Sequence, residues 1–410
     1  MKTGLRCGLL GEKLGHSYSP QIHSMLAGYE YKLYERSREE LEAFLRSGEW
    51  DGMNVTIPYK KTVVPYCAEL SEMAQKLGSV NTLVRRADGS LYGDNTDAYG
   101  FELLVRRSGI DITGKKALVL GSGGASVTVC AVLEKLGAGE VIVISRSGEN
   151  NYDNLSKHAD AQIIANTTPL GMYPHNGLSA VDLKAFPKCE AVFDVVYNPA
   201  RTALILQAEE LGIPCASGLY MLVAQAKRSA ELYTGKSIDD GEIDRIERAL
   251  SRDMQNIVIV GMPGSGKSTL ARLLGEALNR PVYEADAWVE EREGVSIPDI
   301  FAKHGEEYFR ACETRVLADL GKLSGAVIST GGGCVTREEN YPLLHQNGVI
   351  VWLRRDTGVL EKTGRPISLR SDLNELYAQR KDKYARFADL TADNNGTPVE
   401  TVRRILEALQ

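Results

Sequence analysis

Residues 256–268 read NIVIVGMPGSGKS, from Asn256 to Ser268: a branched apolar run, a glycine-bounded turn, then lysine and serine. Four such apolar residues in a row form a short buried strand. The turn fulfils the pattern glycine, four residues, glycine, lysine, serine, and TLARLLGEALN follows with helical apolar spacing and ends before Pro281. Strand, loop and helix in this order make a P-loop nucleotide-binding fold. Backbone N–H groups along Gly261, Gly264, Ser265, Gly266 and Thr269 cradle phosphates, Lys267 binds the β and γ oxygens, and Ser268 ligates magnesium. The loop specifies a nucleotide but leaves the phosphoryl acceptor open.

A second strand, glycine loop and helix lies upstream. ALVL (117–120) is a strand, GSGGAS (121–126) a turn, VTVCAVLEKLGA a helix and EVIVIS the next strand. This is half of a dinucleotide-binding βαβ fold, in which the turn Gly121, Ser122, Gly123, Gly124 and Ala125 brings backbone close to a pyrophosphate. The second strand ends at Ser145 and Arg146, so the acid that would bind an unphosphorylated ribose is absent. That favours NADP over NAD; the alternative is a solvated arginine after a strand.

At roughly 150 residues per domain, 410 residues suggest two or three domains, all α/β in pattern. Residues 1–98 alternate strand-like runs (RCGLLG, GMNVTIP, VNTLVRR) with helical ones (SPQIHSMLAGY, REELEAFLRS) and read as an α/β substrate domain. A helix over about 217–237 returns to brace it. Residues 99–216 form the Rossmann-like NADP-binding domain, and 255–410 the P-loop domain. Between them, over 238–254, Ile243, Ile246, Ala249 and Leu250 recur at helical spacing, which predicts a helical connector.

Composition removes other classes. The 48 basic and 54 acidic residues give a net charge of −6 without blocks of like charge, so a broad nucleic-acid surface is excluded. The longest uncharged stretch, Ala117 to Leu133, is broken by GSGG and does not span a bilayer. The first residues, MKTGLRCGLLG, lack a signal-peptide core, so a cytoplasmic protein is expected. Seven cysteines are scattered without a C-x-x-C pair and read as idle thiols of a reducing compartment.

The strings GEKLGHSYSPQIH, NVTIPYKK, GDNTDAYGF, NTTPLGM, DVVYNPART and GLYMLVAQ are similar, in order, to the motifs of shikimate dehydrogenases over about residues 4–235. The resemblance implies that Ser17 and Ser19 bind the substrate carboxylate and that Thr56, Asn81 and Gln225 hold ring oxygens. It makes Lys60 and Asp97 the catalytic pair, and it puts Tyr197 and Gly218 where the nicotinamide sits and the cleft closes. The chemistry agrees, since an ammonium held by a carboxylate can hydrogen-bond a ring carbonyl and deliver its proton. His16 and His23 are then turn and helix residues. Two departures stand out: Val127 where the family's loop has an arginine, and Gly148-Glu149-Asn150 in place of its second basic residue.

The strings YEADAWVE, GEEYFRACE, STGGGCV, TGRP and LYAQRKDKYARFAD resemble shikimate kinases over about residues 255–410. By this resemblance Asp286 faces the acceptor hydroxyl, Arg310 and Arg380 grip its carboxylate, and Gly331, Gly332 and Gly333 let backbone approach the ring. Arg365 becomes the lid arginine at the transferring phosphoryl, and Glu284 an indirect magnesium contact where the family has aspartate. The lid segment, LRRDTGVLEKTGRPISL, is short, with Lys362 near the adenine-side position, so incomplete closure and wasteful ATP hydrolysis are expected.

Both halves then imply one ligand, shikimate. The expected protein is bifunctional, reducing 3-dehydroshikimate with NADPH and phosphorylating shikimate with ATP and Mg2+. Its partners are small molecules, with neither nucleic acid nor membrane, and no oligomeric state is readable. The alternative is an active kinase fused to a weakly active or regulatory half that binds shikimate or quinate.

Overall fold

The computed structural model describes residues 4–15, 17–360 and 372–409. His16, Lys362 and Arg365 lie outside the described residues. The chain separates into two compact units, one of residues 1–170, 179–197 and 207–250, the other of 171–178, 198–206 and 251–410.

The first unit opens with β1 (Arg6–Gly11), α1 (Ser19–Leu26), β2 (Glu30–Glu35), α2 (Leu41–Arg46), β3 (Gly52–Val55), β4 (Glu69–Leu70), α3 (Glu72–Leu77), β5 (Thr82–Arg85) and β6 (Leu91–Asp94). They build a six-stranded sheet in the order β2-β1-β3-β5-β6-β4. Leu10, Met53 and Leu83 from its middle strands are fully buried with Trp50. β2 escapes a sequence reading because EYKLYE carries charges at both faces of a short edge strand, a composition that protects an edge from further pairing. β1 and β3 run parallel, with Leu10 opposite Val55, so the loops that follow both strands leave the same end of the sheet. β5 runs antiparallel to β3, and Val55 N donates to Asn81 O at 2.7 Å, which brings residue 81 to that end as well.

α4 (Thr96–Arg107) begins under an Asn95 cap and continues through residue 98, so one helix carries the chain from the first sheet toward the second. Next come β7 (Lys116–Leu120), α5 (Gly124–Lys135), β8 (Glu140–Ile144), β9 (Ile163–Asn166), β10 (Ala191–Asp194), α6 (Ala203–Glu210), β11 (Cys215–Ala216), α7 (Leu219–Thr234) and α8 (Gly241–Met254). The second sheet is wholly parallel in the order β11-β10-β9-β7-β8, so the winding reverses between β7 and β9. Such a switch point opens a ligand crevice at the carboxyl ends of the strands. α7 packs closely on α4, since a β-carbon on Gly100 would lie 2.6 Å from Met221 O. Ile243, Ile246 and Leu250 of α8 are buried in the same core.

The second unit contains β12 (Asn256–Gly261), α9 (Lys267–Leu278), β13 (Val282–Glu284), α10 (Ala285–Glu293), α11 (Ile297–Leu320), β14 (Val327–Ser329), α12 (Asn340–His345), β15 (Gly348–Arg354) and β16 (Leu390–Asp393), with further helices at Leu373–Phe387 and Pro398–Ala408. Its sheet is parallel in the order β13-β14-β12-β15-β16, with β12 buried along its whole length. Central position explains the unbroken apolar run from which the P-loop springs. Among the described residues, no helix is long and apolar enough to cross a membrane. All seven cysteines are free thiols.

Candidate active sites

At the shared end of the first sheet, Lys60 Nζ donates to Asp97 Oδ2 at 2.6 Å. The side chains are 31% and 22% exposed, so the pair is accessible to a small molecule while screened from bulk water. Asp97 stands in the first turn of α4, where the helix dipole favours a carboxylate. Asn81, 3% exposed, accepts at Oδ1 from Thr96 N at 2.7 Å, Thr82 Oγ1 at 3.1 Å and Thr96 Oγ1 at 3.2 Å. The carbonyl end of its amide is thereby committed, and Nδ2 remains as a donor for a ligand oxygen.

Thr96 Oγ1 also lies 3.4 Å from Gln225 Oε1, which ties α7 to this cluster. Ser229 Oγ, one turn on, donates to Gln225 O at 3.0 Å and sits 2.9 Å from Thr82 Oγ1 and 3.1 Å from Thr96 Oγ1. Asn54 Nδ2 donates to Ser229 Oγ at 2.8 Å, and Tyr31 Oη donates to Asn54 Oδ1 at 2.8 Å. Sequence reading missed Thr96, Ser229 and Asn54 as members of this network, although Asn54 and Thr96 stand within the motif strings.

Thr56 follows β3 and lies against Gly11 at the end of β1, where an added β-carbon would come within 2.9 Å of its methyl group. Ser17 and Ser19 sit at the start of α1, and Ser17 Oγ accepts from Ser19 N at 3.2 Å. No hydrogen bond links either serine, or Thr56, to the Lys60–Asp97 pair among the described residues. Tyr18, between the serines, meets the ring of Tyr197 edge-on at 6.0 Å. Burial raises the hydroxyl pKa of Tyr197 above the usual tyrosine value. A β-carbon on Gly218 would fall 2.1 Å from Val195 O, so only glycine fits there. His23 is buried on α1, stacked on Tyr31 at 4.0 Å, consistent with a helix residue.

In the second sheet, Gly121 leaves β7 at φ +103°, and a β-carbon there would meet Thr168 Cγ2 at 2.9 Å. The turn therefore closes on the strand across the switch point. Ser122, Gly123, Gly124 and Ala125 are accessible, and no side chain covers Gly123 or Gly124 at the N-terminus of α5. Val127 is also exposed. Past β8, Ser145 N donates to Asn150 O at 3.1 Å, and a β-carbon on Gly148 would lie 2.6 Å from Ser145 Oγ. Gly148-Glu149-Asn150 thus builds a tight turn beside the exposed Arg146.

The second unit holds a cavity of about 290 Å³ lined by the P-loop, the Gly331–Gly333 turn and several charged side chains. Gly264 and Gly266 adopt φ +83° and +95°, which the loop needs to turn its N–H groups inward. Lys267, almost buried, donates to Gly261 O and Met262 O at 3.0 Å each, so its ammonium is held at the loop. Ser265 lies within the loop and Thr269 at the cavity rim. Ser268 Oγ donates to Glu284 Oε2 at 3.0 Å.

Facing the loop, β-carbons added to the glycine turn would collide on every side. At Gly331 one would sit 2.3 Å from Glu313 Oε1 and 2.8 Å from Asp286 Oδ1; at Gly332, 2.6 Å from Pro263; at Gly333, 2.1 Å from Arg310 Nη2. Arg310 Nη1 donates to Glu313 Oε2 at 2.7 Å, and Arg380 Nη1 donates to Gly332 O at 3.0 Å. Burial raises the carboxyl pKa of Glu313 and Arg310 opposes the rise; burial also works against the charge of Arg310, but Glu313 outweighs it and holds the guanidinium pKa high. Glu313 was missed by sequence reading, although it stands three residues after Arg310 within GEEYFRACE, a spacing at which helix side chains meet. Arg355, also unread, lines the same cavity. The P-loop and a cluster of acid and guanidinium groups therefore share one enclosure.

The family model for the shikimate dehydrogenase substrate binding domain matches residues 9–83, and that for shikimate kinase matches residues 263–410. A shikimate dehydrogenase (NADP(+)) of Clostridium perfringens (strain SM101 / Type A) is 34% identical over 264 residues, covering 59% of this chain and 97% of the relative. The chain belongs to the shikimate dehydrogenase family. Past its dehydrogenase region it continues into a shikimate kinase domain, the architecture of a fused enzyme of the shikimate pathway. A chorismate mutase/shikimate 5-dehydrogenase fusion protein from Clostridium acetobutylicum is 37% identical with a TM-score of 0.58, covering 60% of this chain and 97% of that one. The shikimate 5-dehydrogenase of Thermus thermophilus, solved with NADP(H) and shikimate, is 30% identical with a TM-score of 0.55 and covers 60% and 99%. A quinate dehydrogenase from Corynebacterium glutamicum, solved with NAD, is 28% identical with a TM-score of 0.54 and covers 59% and 98%.

Proposed function

We propose that the chain catalyses two consecutive reactions: reduction of 3-dehydroshikimate to shikimate with NADPH, and phosphorylation of shikimate by ATP. The observation that carries this reading is the pairing of Lys60 with Asp97 at 2.6 Å in one unit, together with a phosphate loop facing Asp286 and Arg310 in the other. The proposed division is a substrate domain over 1–98 closed by α7, a dinucleotide domain over 99–216, a connector over 238–254 and a kinase domain over 255–410.

In the reductive step, Lys60 donates its ammonium proton to the ring carbonyl oxygen while Asp97 holds and orients it. Asn81, with only Nδ2 to offer, fixes a ring hydroxyl by donation, and Gln225 is held beside it by Thr96. Ser17, Ser19 and Thr56 supply hydroxyls for the carboxylate and ring. When bound, the nicotinamide supplies the hydride. The uncovered N-terminus of α5 suits its pyrophosphate, and Tyr197 and Gly218 bound the nicotinamide position. Ser145 and Arg146 suit a 2′-phosphate, which is why we favour NADP; the tight Gly148–Asn150 turn lends no second cation.

In the transfer step, Asp286 orients the acceptor hydroxyl and takes its proton, Arg310 and Arg380 clamp the carboxylate, and Gly331–Gly333 leave room for the ring. Lys267 meets the donor phosphates. Ser268 and Glu284 fit a magnesium ion, which keeps most of its water and needs few protein oxygens; bound there, it neutralises phosphate charge. Among the described residues no cluster of three metal-ligating acids, histidines or cysteines competes for a tighter metal.

A coupled assay with 3-dehydroshikimate, NADPH and Mg–ATP tests the whole reading. Shikimate 3-phosphate should form, with shikimate accumulating in Lys267→Ala. Phosphorylation of supplied shikimate with neither NADPH nor NADH oxidised would instead make the first unit a binding domain.

A further inference from the structure

Arg355 is not accounted for by any of these roles. It lies two residues past Leu353, which pairs with Gly261 where β12 passes into the P-loop, so β15 delivers its side chain beside that loop. Its Nη1 sits 3.8 Å from the point where a β-carbon of Gly266 would stand, and Asn394 Nδ2 lies 2.8 Å from the same point. Asn394, buried, donates to Ser265 O at 2.8 Å, so the ends of β15 and β16 brace one flank of the loop.

The electrostatics of Arg355 are unusual. Its Nε is shut off from solvent and has no hydrogen-bond partner, and no carboxylate pairs with it among the described residues. A guanidinium is ordinarily solvated or paired, because stripping water from a charge without a partner is costly. Here it also shares a cavity with the ammonium of Lys267 and lies next to the N-terminus of α9, whose dipole is positive. The three like-signed features make sense together only around an anion. The acids that line the cavity are Glu284 and Asp286 at the start of α10 and Glu290 further along it, and none of the three forms an ion pair with Arg355 among the described residues.

We propose that Arg355 is a phosphate-contacting residue of the nucleotide site, its planar fork meeting the polyphosphate from the β15 side while Lys267 and the loop N–H groups meet it from within. This rests on reading the second unit as an ATP-dependent kinase. Arg354, its neighbour, is no substitute, since its guanidinium lies over Trp352 at 5.5 Å and its side chain is exposed.

The test is titration of ADP into the full chain and its R355Q and R355K forms by calorimetry, with tripolyphosphate and adenosine as competitors. For R355Q, ADP affinity and tripolyphosphate competition should both fall at least 10-fold with adenosine competition unchanged, and R355K, which keeps charge without the fork, should recover part of the loss. Equal ADP affinity in R355Q and the unaltered chain overturns the proposal, as does a loss shared equally by adenosine, which would assign Arg355 to the base. Absence of ADP binding to the unaltered chain defeats the kinase reading itself and the proposal with it. Unfolding midpoints that agree among the three proteins show that the comparison concerns the site and not the fold.

Discussion

Lys60 and Asp97 come from separate elements, the loop after β3 and the first turn of α4, and meet at 2.6 Å. Neither element could position the pair alone. Lys60 is tied to the sheet through its carbonyl, which accepts from Val80 N at 2.8 Å, and Asp97 through the Asn95 cap and the Thr96–Asn81 bond. The pair is therefore held in one fixed arrangement, the preorganisation that the proposed proton delivery needs.

Lys60→Met should lower the rate of 3-dehydroshikimate reduction by about 100- to 10,000-fold, the usual range for a lost general acid. Asp97→Asn, which keeps a hydrogen-bond acceptor but loses the charge that orients the ammonium, should fall less. Steady-state NADPH oxidation measures both, and phosphorylation of supplied shikimate by the same preparation reports that the chain is folded. A Lys60→Met rate within a few-fold of the unaltered chain would remove lysine from the chemistry.

The glycine turn of the second unit yields a sharper geometric prediction. Gly333→Ala would bring a methyl group to 2.1 Å from Arg310 Nη2, and the guanidinium cannot retreat freely because Glu313 holds it at 2.7 Å. Arg310 must shift or the turn must open. The KM for shikimate should rise at least 10-fold, with the KM for ATP within about threefold, since the P-loop is untouched; equal effects on the two substrates would mean that the whole cavity had collapsed. A loss of about 2 kcal/mol in acceptor binding is the scale of one charged hydrogen bond.

Much of this architecture was legible because it is written in local signals. β12 is central in its sheet, so four branched apolar residues and the glycine loop after them point to one structure. The same holds for β7 and Gly121. Edge strands carry weaker signals: β2 mixes charge into both faces and went unread. Long-range consequences were hidden for a different reason. That Ser229 would face Thr96 and Thr82 depends on how α7 packs against α4 and β5, more than 130 residues away in the chain, and no periodicity encodes a partner at that distance. Glu313 and Arg355 were invisible as site residues for the same cause, since a helix acid and a post-strand arginine look solvated until a cavity is seen around them. The expected roles of Lys362 and Arg365 fall outside the described residues.

Ser229 offers a direct test of the buried network. Its hydroxyl takes part in hydrogen bonds with Gln225, Asn54, Thr82 and Thr96, so Ser229→Ala should leave Asn54 and the two threonines to re-pair around a missing partner. A stability loss of about 1–3 kcal/mol is expected by urea denaturation, the range for unsatisfied buried polar groups. Because the network orients Asn81 and Gln225 but does not touch Lys60, the KM for 3-dehydroshikimate should rise several-fold with kcat changed by no more than about threefold. A fall in kcat with KM intact would place Ser229 in the chemical step.

His23 sets an acid limit on the first unit. Its ring is 1% exposed, stacked on Tyr31 and bonded through Nδ1 to Tyr29 Oη at 2.6 Å, and burial lowers its pKa from 6.5 to about 3. The surrounding groups that titrate, Tyr29, Tyr31 and Tyr233, are all raised by burial and stay neutral at low pH. Above pH 6.5 the histidine is neutral in both folded and unfolded chains and adds no pH dependence. Between pH 6.5 and 3 only the unfolded chain takes up the proton, so stability falls as pH falls, by up to about 1.4 kcal/mol per pH unit. His23→Phe keeps a stacked ring without a titrating nitrogen. The stability difference, unaltered chain minus His23→Phe, should be constant above about pH 7 and shrink steadily on acidification toward pH 4, because the carboxylates common to both proteins cancel in the subtraction. Parallel stability curves across that interval would mean that the folded protein accepts the proton and that His23 is not held neutral.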